Sequence, residues 1–146
     1  EQTKKTGREI TVLLGRRNRD REAVRKKYSS TCTILDQVAD IENYYARSDI
    51  VICGAGTTLM EVLFFGIPAV VLPQNEFEQR FMEEIAGHVR LFSLDQLDQA
   101  EALVQDPEQL KELKNSYMTY MDGGGKKRIY EIIRQAVEQD LNGTNR

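Results

Sequence analysis

Ile50-Val51-Ile52-Cys53-Gly54-Ala55-Gly56-Thr57-Thr58-Leu59-Met60-Glu61 is the stretch that decides the fold of this chain. Its first four residues are an apolar run of strand length. Two glycines then turn the chain, and two threonines open a helical stretch, with a glutamate three residues after the second. A strand that turns through glycines into a helix is a ready-made anion site. The first N–H groups of the helix lack partners within it, the helix dipole is positive at that end, and glycine lets a phosphate come close to the backbone. Downstream, Gly66 ends the helix and Pro68 leads into Ala69-Val70-Val71-Leu72-Pro73, which completes a βαβ unit.

The same alternation continues on both sides. Glu9–Leu14 is a predicted strand ended by Gly15, Asp20–Tyr28 a charged helix, and Thr31–Leu35 a short strand. Asp40 caps a helix that runs to about Arg47. After the Ile50–Cys53 strand, the Thr57–Phe65 helix and the Ala69–Leu72 strand, Glu76–Ala86 is a helix closed by Gly87, and Val89–Phe92 a last short strand. Helices over Leu94–Val104, Pro107–Met121 and Lys126–Leu141 finish the chain, the second with proline at its first position. Strands alternating with helices mean an α/β fold: a three-layer, Rossmann-like parallel sheet with helices on both faces. A single domain over residues 1–146 is expected.

The composition is that of a soluble globular protein, with 40% apolar and 29% charged residues. No apolar run approaches the ~18 residues that span a bilayer. The N-terminus has no apolar signal core, so a cytoplasmic location is expected. It also lacks an initiator Met, so a fragment or trimmed chain is expected. Cys32 and Cys53 lie in strand-like runs and read as buried free thiols, and two residues make no metal framework. No metal or cofactor is expected. The net charge of −3 hides an asymmetry: residues 1–30 carry ten Lys/Arg against four Asp/Glu, and the remainder ten against nineteen. The basic block, from Arg16 and Arg17 to Lys27, is either a solvated helix face or, at Arg16-Arg17 just after the first strand, an anion-facing loop. Nucleic acid is not an expected partner, because the rest of the chain is acidic and shows no stacking-aromatic motif.

Ligands of parallel sheets bind beyond the C-terminal ends of the strands. Three loops fall there: Gly15–Arg19, Gly54–Thr58 and Pro73–Gln79. They are candidates for converging on one ligand. The Gly54–Thr58 loop is no Walker loop, since no Gly-Lys-Ser/Thr follows, and no dinucleotide fingerprint, since Leu59 stands at the third glycine position.

The longer string is more specific. Ser48-Asp49-Ile50 through Glu61, then Gly66-Ile67-Pro68-Ala69, Leu72-Pro73 and Gln79, resembles the nucleotide-sugar signature in the C-terminal domains of GT-B-fold enzymes. The tail Asp122-Gly123-Gly124-Gly125-Lys126-Lys127-Arg128-Ile129 is similar to the ending of the UDP-sugar hydrolase of pseudaminic acid biosynthesis and of related spore-coat polysaccharide proteins. The lipid-linked N-acetylglucosaminyltransferase of cell-wall synthesis is a more distant likeness. The resemblance implies that the backbone of Gly54, Ala55, Gly56, Thr57 and Thr58 holds a diphosphate, with both threonine hydroxyls as further donors. It implies that Glu61 accepts from the two ribose hydroxyls, that Gln79 reaches the sugar or phosphate, and that Val38–Ile41 lies against the uracil. Gly15 and Arg16 stand where the family shows a glycine pair and a small hydroxyl residue; here an arginine would bind phosphate through its side chain.

Simpler readings stand beside these. Thr58-x-x-Glu61 is also a capping box, with Glu61 folded back on the cap N–H. The glycines also make a plain tight turn. Gln79 is also an ordinary surface residue. Tyr44 and Tyr45 read as helix packing, Met60, Leu63 and Phe64 as core-face residues, and the single His88 as structural.

GT-B enzymes work in a cleft between two Rossmann-like halves, and nothing here resembles the N-terminal one. The expected function is therefore the UDP-sugar-binding C-terminal domain of a nucleotide-sugar hydrolase in surface-polysaccharide biosynthesis. It has no catalytic residue of its own and is inactive without the N-terminal half in cis or trans. The alternatives are the same domain of a GT-B glycosyltransferase, or a binding module that has lost nucleotide affinity.

Overall fold

The computed structural model describes residues 7–15 and 18–143, with side chains through residue 139. The chain folds into two compact units, Glu1–Tyr44 and Tyr45–Arg146.

The first unit is one β-α-β element: β1 (Thr11–Leu13), α1 (Arg21–Tyr28) and β2 (Thr33–Leu35). The strands are parallel, with Val12 opposite Ile34. Flanking bonds from Leu14 N–H to Leu35 O (2.8 Å) and from Thr33 N–H to Ile10 O (2.9 Å) extend the pairing. No residue of α1 is buried, and its last turn carries Arg25, Lys26 and Lys27, where positive charge suits the helix dipole. Most of the basic block is thus a solvated face. Arg25 and Arg21 also reach Asp36, one residue beyond β2, so two of these cations tie the helix to its strand. Between Gly15 and Thr33 the described residues hold one helix and no strand. The boundary between the units falls in the short helix α2 (Glu42–Tyr45).

The second unit opens with β3 (Val51–Cys53), α3 (Thr57–Phe64) and β4 (Ala69–Val71), with β3 and β4 parallel and Ile52 opposite Val70. All three β4 residues are buried, as in a strand covered on both faces. The helix α3 presents Leu59, Val62 and Leu63 to the core. It ends at Gly66, whose φ of +67° is the left-handed conformation that favours glycine. The helix α4 (Glu76–Ala86) starts where Asn75 Oδ1 accepts from Glu78 N–H at 3.0 Å. A 3₁₀ turn (Leu94–Gln96) leads into α5 (Leu97–Val104) and α6 (Pro107–Tyr120). Asp106 accepts from the N–H groups of Glu108 and Gln109 ahead of Pro107. The last helix, α7 (Gly125–Gly143), exposes Ile129, Ile132, Ile133 and Val137 on one stripe.

The expected α/β class of parallel strands and helices is what the structure has, although each strand is only three residues long. The expected strand over Val89–Phe92 contracts to a single parallel bridge between Phe92 and Val70. The start of the expected strand belongs to the end of α4, because the N–H groups of His88 and Val89 bond back to Ile85 O at 2.9 and 3.0 Å. The fully buried Tyr117 of α6 donates its hydroxyl to the carbonyl of Arg90 at 2.5 Å. Burial also drives the Tyr117 phenol above its ordinary pKa, so the proton stays on the donor.

Candidate functional site

The turn between β3 and α3 brings five expected residues together. Gly56 is the N-cap residue of α3, extended at φ −112° and ψ −152°, and no side chain caps this end of the helix. The N–H groups of Thr57 and Thr58 open the helix and have no carbonyl of their own helix to bond. Both threonines are exposed, and Ala55 is buried. The positive-φ glycines among the described residues are Gly7, Gly66 and Gly123, so neither Gly54 nor Gly56 is required by a left-handed turn. Nothing lies within 4 Å of the position a Cβ would take on Gly56. The backbone there faces open space, the condition under which a ligand can approach it closely.

Glu61 lies one turn further along α3 and is exposed. The capping-box alternative requires Thr58 to be the cap. The cap is Gly56, two residues earlier, and Glu61 makes no return to the backbone there. Instead its Oε2 accepts from the hydroxyl of Tyr45 at 2.8 Å. Tyr45 is buried against Phe65, with ring centroids 5.4 Å apart, so its reading as a packing residue stands. Its hydroxyl has a further effect, fixing one carboxylate oxygen of Glu61. Burial and the Glu61 bond raise the Tyr45 phenol well above its ordinary value, which keeps it a donor at every physiological pH.

The loop after β4 meets this turn through Glu78. Its Oε2 accepts from Ala55 N–H at 3.1 Å and from Gln74 N–H at 3.0 Å. Two of the three expected loops therefore converge, and a carboxylate joins them. Gln79 does not share in this: its Nε2 donates to Glu83 Oε1 at 2.7 Å along the exposed face of α4. It lines an open groove of about 530 Å³ with Pro73, Gln74, Asn75, Arg80 and Glu83, and no turn residue contributes to that groove. Gly15, Val38 and Ile41 lie in the first unit. Arg16 and Arg17, assigned to phosphate on sequence grounds, lie outside the described residues.

Cys53, the last residue of β3, has a thiol pushed up to about 11 by burial and by the negative charge of Glu78. That makes it a poor nucleophile. His88 stacks on Tyr120 with ring centroids 5.4 Å apart, a structural role. The described residues contain no group of three His, Cys, Asp or Glu able to hold a metal ion, and no helix among them is long and apolar enough to cross a membrane.

A family model for the glycosyltransferase family 28 C-terminal domain matches residues 1–116, most of the chain. The chain belongs to this family. No curated protein and no solved structure matches it. The family 28 domain is the C-terminal, nucleotide-sugar-binding half of a GT-B glycosyltransferase, which works with an N-terminal partner domain. The matched region of this family 28 domain contains β1 through most of α6, with the Gly54–Thr58 turn, Glu61 and Glu78 inside it.

Sequence reasoning missed two residues of this site. Glu78 reads locally as an acidic residue in the first turn of α4, a common helix-start feature, and its partners are 4 and 23 residues away. Tyr45 carries a usable signal, since a buried tyrosine hydroxyl needs an acceptor, but the sequence does not say that the acceptor is Glu61.

Proposed function

We propose that this family 28 domain binds the UDP moiety of a UDP-sugar donor at the Gly54–Thr58 turn and Glu61, for a reaction completed by an N-terminal half. The observation that carries this reading is the open start of α3 at Gly56, where no side chain caps the helix, with two exposed threonines whose N–H groups have no carbonyl of their own helix to bond. An anion is the natural ligand of such a helix end. Glu61 supplies acceptor oxygens of the kind that a ribose diol takes, and the Tyr45 hydroxyl orients the carboxylate without neutralising it. On this reading residues 1–146 form one nucleotide-sugar-binding domain, working in the cytoplasm.

The reaction is transfer of the sugar from the diphosphate to an acceptor. The turn and helix start would hold the leaving diphosphate, where negative charge grows as the bond to the sugar breaks. The N-terminal half would supply the acceptor site and the group that takes the acceptor's proton. The family, a glycosyltransferase one, favours an acceptor other than water. The tail Asp122-Gly123-Gly124-Gly125 with Arg128-Ile129 favours water instead, a UDP-sugar hydrolase of surface-polysaccharide biosynthesis.

Phosphorus NMR of UDP-sugar with the purified chain, with and without the N-terminal half, tests the division of labour. The chain alone is expected to release no UDP, because no described group is placed to activate an acceptor. Steady release by the chain alone, lost in Glu61→Ala, would contradict the reading.

A further inference from the structure

The anion-attracting turn already has an anion in it. Glu78 Oε2 takes the N–H of Ala55, one of the donors proposed above for the diphosphate, and the N–H of Gln74 across the gap between the two loops. It also lies 3.1 Å from the position a Cβ would occupy on Gly54, closer than a real Cβ contact comfortably allows. The small size of Gly54 is therefore explained by room for this carboxylate. Asn75 fixes the backbone of Glu78 by accepting its N–H at 3.0 Å, so the residue starts α4 while its side chain leaves the helix for the turn.

The geometry points to Glu78 as a resident competitor for the phosphate site: a diphosphate reaches the Ala55 N–H only by displacing the Glu78 carboxylate, and otherwise binds beside a like charge. This inference rests on the proposed nucleotide site. Two negative groups that compete for the same N–H donors in a partly dry turn repel each other and cannot both be satisfied. The residue thereby sets a threshold for binding at the turn. It disfavours small, highly charged anions, and leaves binding to ligands with enough further contacts, such as a nucleoside at Glu61, to offset the displacement.

Glu78→Gln tests this, because the amide keeps an acceptor oxygen for both N–H groups and removes only the charge. Inorganic pyrophosphate and UDP are titrated calorimetrically into the wild-type chain and the variant. Both ligands are expected to bind the variant more tightly, by about tenfold for the loss of one neighbouring like charge in a partly exposed turn. Unchanged or weaker binding of pyrophosphate and UDP by Glu78→Gln would overturn the inference. A second measurement needs no variant. In wild-type amide NMR spectra, pyrophosphate is expected to shift the Ala55 and Gln74 signals together, since both lose the same acceptor; a shift at Ala55 with Gln74 unmoved would also overturn it. Tighter pyrophosphate binding by the variant, with no preference for UDP in either protein, would support the competitor and remove the uridine reading. UDP preferred by both proteins, with no gain in the variant, would leave that reading and remove the competitor.

Discussion

Gly56 carries more of the functional reading than any other single residue. Its φ of −112° is open to any amino acid, and the space beside it is empty. Neither strain nor packing within the described residues requires a glycine there; its physical uses are as a helix cap and as room for a ligand to approach the backbone closely. Gly56→Ala is expected to weaken UDP binding by about tenfold, ~1.4 kcal/mol. The poorer helix cap alone would lower the melting stability by less than ~1 kcal/mol. Parallel calorimetry and thermal melts separate the two effects, and a variant that melts lower with UDP affinity intact would assign Gly56 to the cap. Cys53 offers a second check at this scale. With its thiol at about 11 rather than 9.0, its thiolate below pH 9 is about 100-fold scarcer than in an ordinary cysteine. Ellman's reagent at pH 8 is therefore expected to label Cys53 slowly. Glu78→Gln should speed that labelling, because one of the causes of the shift is gone.

At the scale of elements, punctuation in the sequence was the reliable guide. Pro107 marks the start of α6 and Gly66 the end of α3, because each acts on backbone within a few residues of itself. What could not be read depends on distant partners. The Arg90 carbonyl is bonded by a hydroxyl 27 residues downstream, and the Glu61 carboxylate by a hydroxyl 16 residues upstream. The join between α6 and α7 combines both kinds of information. Asp122 accepts from Arg128 Nη1 at 2.6 Å, from Arg128 Nη2 at 3.1 Å and from Gly124 N–H at 2.8 Å, so part of the tail motif is a clamp on the start of α7. The Arg128 bond, followed by the Gly124 N–H, holds the Asp122 carboxyl below the usual carboxylate range. A carboxyl whose folded pKa is depressed stabilises the fold above its unfolded value, and this is lost as pH falls through the lowered one. Protection of the first α7 amides from hydrogen exchange is thus expected to persist through mildly acidic pH and to fall only below the ordinary carboxylate range. Asp122→Asn should lower that protection at neutral pH and remove its acid dependence.

For the whole molecule, the alternation of strands and helices, the glycine turn from β3 into α3 and the GT-B C-terminal-domain family were legible in the sequence, because they rest on periodicity and on one contiguous string. The site was legible only in part. The turn and Glu61 are adjacent in sequence and share one helix, whereas Gln79 faces along α4 and its neighbour Glu78 enters the turn. A neighbouring pair on a helix points in directions about 100° apart, and the sequence motif alone did not reveal which of the two reaches the strand end. The central claim is that the start of α3 and Glu61 together select a uridine diphosphate. Calorimetric titration of the wild-type chain and of Glu61→Gln with UDP, UMP and inorganic phosphate, alongside thermal melts of both, tests it most directly. The expected result is a clear preference of the wild type for UDP over phosphate. In Glu61→Gln that preference should fall by about 1–3 kcal/mol, the cost of losing a charged acceptor. Equal affinity of the wild type for UDP and phosphate, or a Glu61→Gln variant that binds UDP unchanged, would contradict it.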